Sequence, residues 1–280
     1  MNTLELTALL WLGSLVAGFL GSLTGLGGGV VLVPLLTLVF GVDIRYAIGA
    51  SLVSVIATSS GAAAAYVREG FSNIRVGMFL EIATTIGAIA GAVVAIHLHL
   101  SWIAITFGLV LLWSAYESIR SHPGSRGPAK QDQIASFLRL DGTFPGPEGE
   151  QAYHVSHVPA GFGLMFTAGV LSGVLGIGSG AVKVLAMDRA MGLPFKVSTT
   201  TSNFMIGVTA AASAGVYLTR GYIDPALAMP VVLGVLGGSL IGARLLAGAR
   251  VRILRILFSI VIALLGIEMI FNGIGGKFAQ

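Results

Sequence analysis

A chain of 280 residues that is 55% hydrophobic and 10% charged, with mean hydropathy +0.91, is too apolar for a soluble domain, where about 25% of residues carry charge. It reads as an integral membrane protein, and its 40 glycines suit helices that pack through small residues in lipid. Zero cysteines exclude disulfides, thiolate metal sites and thiol catalysis, and the net charge of +4 reports membrane orientation rather than nucleic acid, since no basic patch is interleaved with aromatics.

The first apolar segment covers residues 4–22. It has no basic start (Glu5 is its only charge) and no A-x-A cleavage site, so it is expected to be a retained helix rather than a signal peptide. Apolar segments follow at 30–41, 46–67, 74–97 and 101–119. Residues 120–158 are polar and rich in turn formers, among them Pro123, Gly124, Gly127, Pro128 and the run from Asp141 to Pro147. This stretch reads as a linker with a small hairpin near 136–156. Five further apolar segments lie at 159–175, 181–192, 197–219, 224–246 and 253–273. The expected organisation is a first transmembrane repeat over 1–119, a cytoplasmic linker over 120–158 and a second repeat over 159–280. A full span needs about 20 residues, so the short second and seventh segments pair with their predecessors, as two spans or as one re-entrant hairpin.

The two halves are a duplication. Gly25-Leu26-Gly27-Gly28-Gly29 returns as Gly176-Ile177-Gly178-Ser179-Gly180 at an offset of 151 residues. The same offset, without a gap, matches Gly18 to Gly169, Val31 to Val182, Gly41 to Gly192, Ser51 to Ser202, Gly91 to Gly242 and Glu117 to Glu268. A duplicated membrane unit with a glycine-broken helix in each half points to a transporter binding site.

Cation placement orients the chain. With the linker inside, Arg120, Arg126, Lys130 and Arg139 lie there, together with Arg68, Arg75, Arg189, Lys196, Arg250, Arg252 and Arg255. Arg45, Arg220 and Lys277 are left outside, a bias in the expected sense. The loop near 98–101 has no Lys or Arg, whereas its partner near 248–255 has three Arg. Matching loops on opposite faces mean inverted repeats, with both termini outside. The fold class expected is therefore an all-α integral membrane protein, built as two inverted-topology repeats of about five hydrophobic helical segments each, with glycine-broken helices near the midplane.

Irregular backbone survives at membrane depth only inside protein or beside a water-filled cavity. Gly27, Gly28, Gly29, Gly178, Ser179 and Gly180 should thus meet near a pseudo-two-fold axis, where the helices that follow direct free N–H groups and a positive dipole end at an anion. The pattern Gly21-x-x-x-Gly25-x-Gly27-Gly28-Gly29 followed by Pro34, repeated in the second half, resembles the TauE/SafE sulfite exporter family of membrane permeases. That resemblance covers nearly all of both halves and excludes the linker. It implies transport, as an exporter in the cell inner membrane, of a small sulfur-containing anion such as sulfite or an organosulfonate. The second copy departs from the pattern, with Ser179 at the Gly28 position, Lys183 at Leu32 and Leu185 at Pro34.

Lys183 is the basic residue set deep in an apolar segment, three positions beyond Gly180. An intramembrane charge is costly unless paired, and a bound anion would pair it. The competing readings are snorkelling to an interface and a pair with Asp188, although a five-residue spacing is poor for a helix. Ser51, Ser202 and Asn203 supply hydroxyl and amide donors that hold an oxyanion without a permanent charge, against the plainer reading of local backbone capping. Glu81 is able to carry a coupling proton, but six residues from Arg75 it is expected to reach the inner interface. Glu117 and Glu268 read as interfacial. His154-x-x-His157 has too few ligands for a metal, and no cofactor is implied.

A passive anion channel would use the same helix ends but keep a continuous wet path. An intramembrane enzyme lacks a histidine base in any apolar segment, and Ile177 spoils the nucleophile-turn readings of Ser179. A non-transporting scaffold leaves the duplicated breaks unexplained. The expected partners are a small anionic substrate and the lipid bilayer, with a coupling proton or ion and a homo-oligomeric state both compatible with the sequence.

Overall fold

The computed structural model describes residues 3–22, 28–68, 71–119, 132–146, 149–246 and 251–276. Gly27 of the first break lies outside these, as do Arg120, Arg126, Lys130, Arg250 and Lys277. The first half comprises α1 (Thr3–Ser22), a short α2 (Gly29–Pro34) that runs on as a π-helical turn (Leu35–Val39), α3 (Ile44–Arg68), α4 (Ile74–His97) and α5 (Leu100–Ile119). A small unit follows, with α6 (Gln133–Phe137) and an antiparallel hairpin of β1 (Gly142–Gly146) and β2 (Gly149–Tyr153). The second half has α7 (Val158–Leu175), α8 (Gly180–Leu185) with its own π turn (Ala186–Ala190), α9 (Phe195–Thr219), α10 (Pro225–Leu246) and α11 (Val251–Ile274). Shifting α2, its π turn and α3 by 151 residues reproduces the bounds of α8, its π turn and α9 residue for residue.

The protein is an all-α membrane protein. Among the described residues, Ile74–His97, Leu100–Glu117, Val158–Leu175 and Pro225–Gly242 are long and apolar enough to cross a bilayer. On α4 the exposed side chains Met78, Ile82, Ile86, Ile89 and Val93 form one stripe at helical spacing. The opposite face is small and buried, with Gly77, Thr84, Gly87, Ala88, Gly91 and Ala95. An apolar outer stripe and a small-residue inner one are what lipid outside and a helix inside require.

The π turns share one cause. Pro34 has no N–H to give, which loosens the first, but the second has Leu185 there and forms all the same. Common to both is the ending. Gly41 and Gly192 take left-handed φ of 67° and 74°, and Val42 N–H donates to Leu36 O at 3.0 Å as Leu193 N–H donates to Met187 O at 3.0 Å. A glycine-closed terminus that reaches back six residues sets the wide turn.

Helix pairing crosses between halves, α1 on α10 and α4 on α7, with α3 on α9 and α5 on α11. Gly234 and Gly238 sit against the carbonyls of Trp11 and Leu15, so α1 and α10 run parallel. Gly87 and Gly91 meet the carbonyls of Phe166 and Val170, so α4 and α7 are parallel too. Gly49 faces Tyr222 just past α9 while Gly207 faces Ser59, so α3 and α9 are antiparallel. For α5 and α11, Gly273 packs near Ser101 and Gly108 near Gly266, again antiparallel.

The unit between the halves docks on the ends of α4 and α9. Asn73 Nδ2 donates to Leu140 O at 2.9 Å and to Tyr153 Oη at 2.7 Å. Leu140 and Val155 join Val76, Leu80, Met187, Met191 and Val197 in a second apolar cluster. Asp132 accepts from the N–H of Ile134 and of Val158, each at 3.0 Å, and so ties α6 to the start of α7.

Candidate functional site

The two breaks meet inside the protein. Gly28, Gly29 and residues 176–180 are all buried. A Cβ built on Gly29 would lie 2.6 Å from Ser51 Oγ and 3.2 Å from Gly176 O, so only glycine admits this approach. Ser51 Oγ donates to Gly176 O at 2.8 Å, joining α3 of one half to the break of the other. Val30, Ile177, Ser179, Gly180, Val110 and Ser114 surround a cavity of about 10 Å³, at the lower limit for a single water.

The breaks differ in backbone. Gly28 is right-handed, φ −63°. The second copy strings together Gly176 at φ 69°, Gly178 at 72° and Ser179 at 45°. A serine in the left-handed region is strained by about 1–2 kcal/mol, and its side chain offsets this, with Ser179 Oγ donating to Ala168 O at 2.6 Å. Ser202 Oγ donates to Gly180 O at 3.3 Å. The hydroxyl protons of Ser51, Ser179 and Ser202 are thus all directed at backbone carbonyls, and an anion would have to draw them away. Asn203 is half-buried on α9, with no hydrogen bond to the break among the described residues.

Lys183 is fully buried, 0% exposed. It neither snorkels nor bonds Asp188. Nζ donates to Thr209 Oγ1 at 2.5 Å, and Thr209 Oγ1 lies 2.7 Å from Glu81 Oε1. Glu81 therefore corrects the sequence expectation. It is 8% exposed, held by Thr209 and by Thr85 Oγ1 at 3.2 Å, and faces the Lys183 charge. Distance from Arg75 along α4 was the wrong measure, because the partner comes from the other half. The signal was present in the sequence. Thr84 and Thr85 follow Glu81 at three and four residues, and Thr209 follows Ser202 at seven, two turns along one face of α9.

Two other expectations shift. Glu117 is not simply solvated at an interface, since its Oε1 accepts from Arg189 at 2.7 Å and so joins α5 to the second π turn. Arg45, one of the cations left outside, is occupied with the end of α4, its Nη2 donating to Ile96 O at 3.0 Å and Leu98 O at 2.9 Å.

A buried cation beside two helix breaks, in a duplicated membrane chain, is the arrangement of a membrane transporter, and comparison with known proteins agrees. The chain is 28% identical over 267 residues to the probable membrane transporter protein YunE of Bacillus subtilis, covering 93% of this chain and 96% of that one. It is 25% identical over 233 residues to YdhB of the same organism, also named a probable membrane transporter protein, covering 82% and 84%. A probable membrane transporter protein of Methanocaldococcus jannaschii is 25% identical over 281 residues, covering 95% and 96%. No solved structure matches the chain. The family model for the sulfite exporter TauE/SafE matches residues 10–269, and the chain belongs to that family of membrane transporters.

Proposed function

We propose that this protein is a secondary transporter, operating as an exporter, of a small sulfur-containing anion such as sulfite or an organosulfonate. It works by alternating access between two inverted halves, residues 1–119 and 159–280, joined by a cytoplasmic linker in the inner membrane, with both termini outside. One observation carries the reading. Lys183, a full charge at 0% exposure, stands one turn past the strained break at Ser179, on the short helix whose Gly180, Ala181 and Val182 line a cavity that also touches Val30 of the other half. A buried ammonium with one hydrogen-bonding side-chain partner retains donors for an anion. The antiparallel α3–α9 and α5–α11 pairs, with α1 parallel to α10 and α4 to α7, support inversion, because a half turned upside down gives each of these directions.

Thermal-shift screening of the purified protein against sulfite, sulfate, thiosulfate, sulfonates and carboxylates tests the substrate class, and stabilisation by sulfite or a sulfonate is expected. Lys183→Met should weaken that binding at least tenfold. Unchanged affinity would remove Lys183 from the site. With no native cysteine, single cysteines at the repeat-equivalent His99 and Arg250 report topology cleanly, and labelling of both from the same side would end the inverted reading. Saturable exchange of substrate favours the carrier over a passive anion channel, which would give single-channel currents.

A further inference from the structure

We propose that Glu81 is a proton-binding site coupled to anion arrival at Lys183, so that one proton travels with each monovalent anion. The inference rests on the reading of Lys183 as the anion contact. Glu81 and Lys183 do not touch. Thr209 stands between them, accepting from Lys183 Nζ and lying 2.7 Å from Glu81 Oε1. The threonine has a single hydroxyl proton and two acceptors in reach, Glu81 Oε1 and Met205 O at 2.9 Å. With Glu81 ionised, Thr209 donates to the carboxylate. With Glu81 protonated, the carboxyl donates to Thr209 and the hydroxyl turns to Met205 O. Both patterns fit one set of heavy-atom positions, so the pocket accepts either protonation state of Glu81 without repacking. Among the described residues Glu81 Oε2 is buried with no hydrogen-bond partner, an unmade bond that costs more on an ionised carboxylate than on a neutral carboxyl.

Charge balance supplies the coupling. The empty pocket holds Lys183 as a cation and Glu81 as an anion, and their sum is zero. A monovalent anion at Lys183 would leave one uncompensated negative charge in a low-dielectric site, which is costly. Uptake of one proton (carboxylate plus H⁺ gives carboxylic acid, with no other bond changed) restores neutrality, and release of the anion returns the proton. Among the described residues, the groups facing Glu81 are Lys183 from α8, Thr209 from α9, and Thr84 and Thr85 from α4 itself; α7 packs beside them with the backbone of Gly169 against Thr84 O. Among these Lys183 is the one charged group. The repeat-equivalent positions of Glu81, Lys183 and Thr209 are Val232, Leu32 and Thr58, so the second half of the pseudo-symmetric pair offers no proton site and the ratio is one.

The test uses methanesulfonate, whose charge is constant across the useful pH range, and sulfite as a second probe. Binding to the purified full chain is measured from pH 5 to 8. Methanesulfonate affinity should fall up to tenfold per pH unit as Glu81 ionises, since binding takes up one proton. Glu81→Gln should bind with an affinity that no longer depends on pH, and Thr209→Val should blunt the dependence. In liposomes holding a pH dye, a methanesulfonate gradient should acidify the lumen through the wild type but not through Glu81→Gln. Lys183-dependent binding that is flat with pH in the wild type, or a slope retained by Glu81→Gln, overturns this proposal and leaves the anion site standing. Failure of both probes to bind the wild type, or binding that ignores Lys183→Met, overturns the anion site and the proton site together.

Discussion

The two halves share a backbone plan and divide its chemistry unequally. α2 with its π turn and α8 with its π turn are superimposable in sequence register, yet one half contributes Leu32 where the other contributes Lys183, each 0% exposed. Thr58 and Thr209 are equivalent. The first spends its hydroxyl on Ser54 O at 3.0 Å within α3, and the second links a lysine to a carboxylate. Duplication thus supplied the frame, with glycines that let the breaks meet and glycine-closed π turns. The polar relay was placed on one side.

The largest expected effect comes from moving the charge across the axis. Leu32→Lys puts an ammonium where Glu81's counterpart is Val232, and it should cost about 3 kcal/mol or more, read as loss of folded protein in detergent. Adding Val232→Glu should restore much of the yield, because Thr58 is already in place. If Leu32→Lys alone is tolerated, the two sides are chemically interchangeable and the asymmetry carries no meaning.

Next is a comparison that should show equality. Gly18 faces Val235 O and Gly169 faces Thr84 O, repeat-equivalent contacts on both sides. Gly18→Ala and Gly169→Ala each drive a methyl into backbone and should cost about 1–3 kcal/mol, with closely similar losses in thermal midpoint. A marked difference would show that the α1–α10 and α4–α7 seams are not equally tight.

Smaller still is Ser179→Gly, which copies the first break into the second. It relieves about 1 kcal/mol of left-handed strain and removes a hydrogen bond worth about 1 kcal/mol, so stability should change little while anion affinity reports whether Ser179 matters. The least effect belongs to Asp132, outside the membrane. The N–H groups of Val158 and Ile134 hold its carboxyl below the usual carboxylate range. A lowered folded value means the tie is complete above the unfolded value and is lost as pH falls through the folded one. Protection of the Val158 and Ile134 amides from hydrogen exchange, relative to their intrinsic rates, should hold through the usual carboxylate range and fall only at lower pH, and Asp132→Asn should show less protection at neutral pH.

Segment limits were legible because lipid and helix period leave few choices, and the duplication was legible because two halves of one chain calibrate each other. Gly41 and Gly192 matched in sequence, and both close a π turn. The relay was legible only as separate polar residues, not as partners. Glu81, Lys183 and Thr209 lie on three elements from both halves, and no linear spacing relates α4 to α9. In sequence, the serines beside the breaks suit a ligand or the local backbone equally, and the fold adds that Ser51 and Ser202 face carbonyls that only the folded break presents. Polarity was visible in the sequence, whereas the direction of each hydroxyl required the fold.

The crossed seams carry a mechanical consequence. Because α1 is clamped to α10 and α4 to α7 by glycine against carbonyl, any rigid-body motion of these seams would carry helices of both halves together. Each packed pair is a hybrid with one helix from either half. Chains severed between residues 119 and 132 should consequently assemble when produced together, and neither fragment alone should form a seam to pivot on.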